Sequence, residues 1–179
     1  QLLNAMARRA DRHPPKPGTS PSESFHFLRQ TQSRRARILG MLLVALEEDY
    51  QIRLRRAPDL RQACTEAYGP AEGRALVSLR ELLGVIGAHE WRKNGIDVPA
   101  LGDRIYPHYG VFSPIRSEYV ALVADAPLPD CTLAFDIGTG PGVLAAVLAR
   151  RGVSRIIATD QDPRALACAR ENLQRLGLS

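Results

Sequence analysis

Two carboxylates and three glycines stand close together in the last third of this chain. The stretch Phe135 to Asp160 reads FDIGTGPGVLAAVLARRGVSRIIATD, with Asp136 at its head, glycines at 138, 140 and 142, and Asp160 at its foot. Glycine is used where a chain turns sharply or where backbone must approach a ligand closely. A carboxylate at a strand end can accept hydrogen bonds from the two hydroxyls of a ribose, and Asp160 follows Gly138 by 22 residues, the separation that geometry uses. The chemistry on offer is therefore the binding of a nucleoside-containing small molecule. The plainer alternative is a tight packing turn, with Asp160 capping the helix that Asp160-Gln161-Asp162-Pro163 begins.

The elements needed to hold these residues can be read on either side of them. An apolar run from Cys131 to Phe135 predicts a strand around 132–136, and a second run, 155–159, predicts another. Val143 to Arg151 has a helical pattern between them. Pro163 to Leu176 is an amphipathic helix whose expected buried stripe is Leu166, Ala169, Leu173 and Leu176, stopped by Gly177. This is a strand, Gly-rich turn, helix, strand and acid in order, the sequence form of a nucleotide-binding crossover. Parallel strands need both faces covered, and two are too few for an autonomous sheet. Either further sequence lies downstream or these residues are a fragment. The opening Gln1 likewise predicts that sequence precedes it.

The glycine spacing separates two ligand classes. A dinucleotide fingerprint places its third glycine three residues after the second. Here position 143 is Val and the third glycine falls at 142, giving G-x-G-x-G. That pattern resembles motif I of the class I S-adenosylmethionine-dependent methyltransferases, in which the turn wraps the amino-acid end of a ligand without phosphates. Upstream, Arg104 to Glu118 reads RIYPHYGVFSPIRSE. At Phe112, Ser113, Pro114, Arg116 and Glu118 it resembles the lid segment of the small-domain type, which includes release-factor glutamine methyltransferases and several base N-methyltransferases. The resemblance implies S-adenosylmethionine as cofactor. It implies contacts from Phe112, Asp136, Gly138 and Thr139, and from Gly140, Gly142, Asp160 and Gln161, with Asp160 on the ribose. It also implies a macromolecular substrate, either a release-factor-like protein or RNA/DNA. In that family an Asn/Asp-Pro-Pro-aromatic motif holds the nitrogen to be methylated. No such tetrapeptide occurs in 1–179. No catalytic residue can therefore be assigned, and the motif is expected beyond the end of this chain. The rivals are a non-catalytic module binding cofactor or partner, and a nicotinamide-dependent oxidoreductase.

Composition limits the remaining classes. With 45% apolar and 24% charged residues the chain has the make-up of a soluble globular protein, and no run approaches a membrane span or a signal peptide. Three separated cysteines (64, 131 and 168) point to reduced thiols and a cytoplasmic setting, with no metal site. His108 lacks a ligand partner at metal spacing. Tyr106 and Tyr109 could stack on a base, although a strand position is the favoured account of them. The net charge of +5 lies wholly in residues 1–60, densest at Arg34, Arg35, Arg37 and at Arg53, Arg55, Arg56. Such clusters can meet RNA phosphates or form a solvated helix face. Nothing in the sequence fixes the oligomeric state.

The front of the chain reads as helical. Leu2 to Arg12 suggests a short helix, and residues 13–24 (HPPKPGTSPSES) a flexible linker. Ile38, Leu39, Leu42, Leu43 and Leu46 suggest one long helix from Phe25. Leu60 to Tyr68 suggests a short helix closed by Gly69-Pro70, and Leu76, Leu79, Leu82, Leu83 and Ile86 another, ending near Trp91 in the seam between domains. Residues 96–103 read as extended or loop-like, with Pro99 and Gly102 breaking any regular element, and a helix from about Ile115 to Ala124 follows them. The expected organisation is α/β: a flexible segment (1–24), a helical domain (25–95), then the first half of a Rossmann-like doubly wound parallel sheet (96–179).

Overall fold

The fold is described from a computed structural model, which covers residues 5–8, 20–112 and 118–178. The chain divides into two compact units, 1–85 and 86–179.

In the first unit, residues 5–8 are helical, and the rest of the Leu2–Arg12 helix lies outside the described residues. Helix α1 (Pro21–Gly40) starts inside the stretch expected to be linker. The reason is a reciprocal cap. The Ser20 hydroxyl accepts the Glu23 amide at 3.3 Å, and the Glu23 carboxylate accepts the Ser20 amide at 2.9 Å, with Pro21 preset for the first turn. The Ser20 amide also holds the Glu23 carboxyl below its ordinary range. α1 buries none of its residues.

The long helix expected from Phe25 stops at Gly40. Leu43–Leu46 is instead strand β1, paired antiparallel with β2 (Ala75–Ser78) in the register Val44↔Val77. A short Leu/Val run satisfies helical and strand periods alike, and the cross-strand partners, 29 to 35 positions away, decide between them. Helix α2 (Arg61–Tyr68) buries Ala63, Cys64 and Ala67 and ends at Gly69, whose φ of +89° suits glycine. Leu76 belongs to β2, so helix α3 (Leu79–Asn94) starts later than its leucine pattern suggested. Its buried residues are Leu82 and Val85, while Leu83 is exposed. The first unit therefore contains an antiparallel ladder as well as helices. Its Arg53 pairs with Glu47 at 2.9 Å on the surface.

In the second unit, α3 gives way at Gly95 to a hairpin. Strands β3 (Ile96–Val98) and β4 (Asp103–Ile105) pair antiparallel around a 3₁₀ turn, Pro99–Leu101. Pro99 and Gly102 here shape the turn, Gly102 at a φ of +57°, and do not break a regular element as expected. Gly95 is needed for space as well as for its φ of +73°: a Cβ there would lie 3.1 Å from both the Arg104 Cβ and the Tyr106 ring. Trp91, expected to be packed, is 41% exposed.

Four elements follow the hairpin and carry the site: α4 (Glu118–Asp125), β5 (Leu133–Ile137), α5 (Val143–Arg150) and β6 (Arg155–Thr159), closed by α6 (Pro163–Arg175). The sequence reading places all of them to within about three residues, the usual uncertainty of element ends. β5 and β6 are parallel, with Asp136 beside Ala158. Val98, Leu101 and Ile105 from the hairpin, Val120 from α4, and Val143, Ala146 and Val147 from α5 form the core. α6 buries Ala165, Cys168, Ala169 and Asn172, while Leu173 and Leu176 pack partly buried against the core. Ala169 of the expected stripe is thus buried and Leu173 and Leu176 pack at its edge, while Ala165, Cys168 and Asn172 make the rest of the inner face small and polar.

Candidate functional site

The glycine turn is folded by its own backbone. The amides of Gly138 and Thr139 both donate to the Thr159 carbonyl at 2.8 Å, laying the turn over the end of β6. The Gly142 amide donates to the Thr139 carbonyl at 2.9 Å, and the Gly140 amide to Asp160 Oδ2 at 3.0 Å. Gly138, Gly140 and Gly142 all adopt positive φ, between +54° and +84°, which L-residues disfavour.

The two acids divide the support of this turn. Gly142 is the N-cap of α5 and has no side chain to offer the first helical amides. Asp136 supplies the missing acceptor from the strand: its Oδ2 accepts the Ala145 amide at 3.1 Å and the Thr139 hydroxyl at 2.7 Å. Asp160 clasps the other end, where Oδ2 holds Gly140 and Oδ1 accepts the Asp162 amide at 3.0 Å. These amides, Asp162 first and Gly140 next, hold the Asp160 carboxyl below the ordinary range. Helix α6 is capped by Asp162, whose side chain accepts the Arg164 amide at 2.9 Å, so Asp160 is not its cap.

Above the turn lies a cleft of about 400 Å³. Six of the eight residues expected to meet a cofactor line it: Phe112, Asp136, Gly138, Thr139, Gly140 and Asp160. Gly142 and Gln161 do not. Gly142 is buried against α6, where a Cβ would lie 3.1 Å from that of Ala169, so closeness between backbones explains this glycine. Sequence reasoning missed Val111, Tyr119 and Asp162, which also line the cleft. Asp162 carried a visible signal, being a carboxylate two residues from Asp160. Of the expected lid, Phe112 is described and 71% exposed at the cleft, whereas Ser113, Pro114 and Arg116 lie outside the described residues.

The charge of the cleft is one-sided. Asp136, Asp160 and Asp162 line it, and among the described residues no lysine, arginine or histidine does. The turn amides at 138, 139, 140 and 142 are all consumed internally. A diphosphate needs such amides or basic side chains around it. A neutral or cationic ligand with hydroxyl donors fits this lining, and a pyrophosphate does not.

The residues set aside on sequence are occupied structurally. His108 Nε2 meets Glu171 Oε2 at 2.9 Å, which lowers the Glu171 carboxyl's pKa, and Arg92 lies 3.6 Å from the same oxygen. The Tyr106 ring is covered by the Arg175 guanidinium at 4.4 Å, leaving that face unavailable to a base. All three cysteines are free thiols. Among the described residues there is no cluster fit for a metal, and no helix is long and apolar enough to cross a membrane.

Comparison with known proteins meets the same segment. Residues 124–178, from the end of α4 through α6, match the family model for ribosomal protein L11 methyltransferase (PrmA), a class I family whose methyl donor is S-adenosylmethionine. Relatives with that name are 53% identical over 38 residues in Pelobacter propionicus and 46% over 44 in Geobacter metallireducens. A third, from Pelotomaculum thermopropionicum, is 47% identical over 45 residues. The matched stretches are 21–25% of this chain and only 12–15% of the relatives' length. The matched family methylates a ribosomal protein by name, whereas the segment 104–118 resembles release-factor and base methyltransferases. The match begins after that segment.

Proposed function

We propose that residues 96–179 form the cofactor-binding part of an S-adenosylmethionine-dependent N-methyltransferase. The observation that carries this reading is the cleft's lining: three carboxylates, no basic side chain among the described residues, and turn amides already bonded within the protein. That lining suits a sulfonium cation with a ribose and opposes the pyrophosphate of a nicotinamide cofactor. The cofactor supplies an electrophilic methyl group when bound. This chain's share is to hold and orient it: Asp160 faces the ribose hydroxyls with its remaining lone pairs, Phe112 covers an apolar face, and Thr139 and Gly140 meet the amino-acid end. Gly142 and Gln161 act at one remove, through the shape of the turn.

The substrate is a macromolecule, and the names of the relatives favour a ribosomal protein over a release-factor glutamine or a nucleic-acid base. A cytoplasmic location follows from that substrate class.

Calorimetric titration with S-adenosylhomocysteine tests the reading. Saturable binding is expected, and Asp160→Ala should weaken it about tenfold or more, the scale of a lost charge-assisted hydrogen bond. Affinity should hold from neutral pH down to the ordinary carboxylate range and fall below it, because the folded Asp160 titrates lower than a free carboxyl. Tight NADH binding with no response to S-adenosylhomocysteine would overturn it.

A further inference from the structure

Asn172 joins the two walls of the cleft, although it touches neither the cleft nor a charged group. It lies on the inner face of α6 and is 2% exposed. Its Nδ2 donates to the Pro141 carbonyl at 3.0 Å, inside the glycine turn, and its Oδ1 accepts the Tyr106 amide at 2.8 Å. The partners fix the orientation of the side chain, since a carbonyl can only accept and an amide can only donate. Pro141 is flanked by Gly140 and Gly142. Tyr106 begins the segment that reaches Val111 and Phe112 on the other side of the cleft. The same segment is tied to α6 twice more, by Cys168 Sγ to the Tyr106 carbonyl at 3.6 Å and by Glu171 to His108.

We infer that Asn172 is a positioning residue for cofactor binding, setting the separation between the glycine turn and the 106–112 segment. An amide is suited to this task because it presents a donor and an acceptor on one short, rigid plane. Aspartate keeps the acceptor for Tyr106 but sets a carboxylate oxygen against the Pro141 carbonyl. Leucine fills the volume and leaves both backbone groups buried without a partner. Glutamine is one methylene too long for a site in which Ala169 already touches Gly142.

The inference rests on reading the cleft as a cofactor site. Its test is S-adenosylhomocysteine titration of the full chain carrying Asn172→Asp, beside Leu101→Ala, a core truncation in the hairpin turn. Melting temperatures are recorded without ligand. Asn172→Asp should raise Kd about tenfold, the effect of one misdirected buried hydrogen bond. Leu101→Ala should lower the melting temperature at least as far while leaving Kd within about twofold, because truncating a core side chain removes packing and leaves the turn intact. Equal Kd for Asn172→Asp and the parent overturns the inference, as does equal weakening by both variants. If the parent itself does not bind, the cofactor reading fails, and amide hydrogen exchange then judges Asn172 separately. Loss of protection at Gly142 with Tyr106 retained in Asn172→Asp supports the positioning role, and unchanged protection at Gly142 overturns it.

Discussion

The two faces of the β5–β6 ladder are built to different standards. On the helix side Asp136 is 8% exposed and holds two donors, and Gly142 and Ala169 meet at backbone distance. On the opposite side Leu133, Phe135 and Ile137 stand out of the same strand, Ile137 at 82% exposure. A strand alternates its side chains, so one residue's step along β5 separates a polar, fully bonded face from a bare apolar one. The glycine turn is therefore a local construction of β5, β6, α5 and α6, while the 110–112 segment and Tyr119 of α4 supply the rest of the cleft. Among the described residues the ladder that carries it has two strands and one uncovered face, whereas parallel sheets are ordinarily covered on both.

The sharpest way to break this contrast is Asp136→Ala. It removes the surrogate cap of α5 and leaves the Ala145 amide and the Thr139 hydroxyl without an acceptor. A loss of about 3 kcal/mol in urea unfolding is expected, from stranded buried donors and a lost helix cap. A pair of glycine variants comes next. Gly142→Ala meets Ala169 as well as an unfavourable φ of +84°, whereas Gly138→Ala, at a φ of +78°, meets open space. The first should destabilise by about 2–3 kcal/mol and the second by about 1 kcal/mol, the conformational part alone. Equal losses would mean that crowding against α6 contributes nothing. The smallest effect belongs to the bare face: Ile137→Ser should change stability by less than about 0.5 kcal/mol. The same variant should reduce self-association in light scattering, as removal of an exposed apolar side chain does. A large loss of stability there would show that this face is covered within the chain itself.

The same contrast explains what could be read in advance. β5, α5, β6 and α6 were legible because glycines, prolines and apolar runs punctuate them locally, and each is decided by residues within it. The acids were legible because their spacing from the glycines is itself a geometric constraint. β1 was not, because Leu43 to Leu46 obeys a helical period until β2 pairs with it across 29 to 35 positions. The hairpin of β3 and β4 was missed for a related reason: Pro99 and Gly102 signal a break, and only the pairing of Ile96 with Ile105 shows that the break is a turn. Asn172 gave no signal at all. A polar residue in an amphipathic helix reads as solvent-facing until its partners, 31 and 66 positions away, are brought to it. Gly142 was seen but assigned to ligand approach, and the distance to Ala169 that explains it exists only in three dimensions.

The clasp between Asp160 and Gly140 is made within the chain itself. A turn held by bonds of its own chain loses its conformational entropy on folding. Association should then proceed as docking into a standing shape, with a single kinetic phase whose rate rises linearly with ligand concentration and never reaches a plateau set by loop rearrangement.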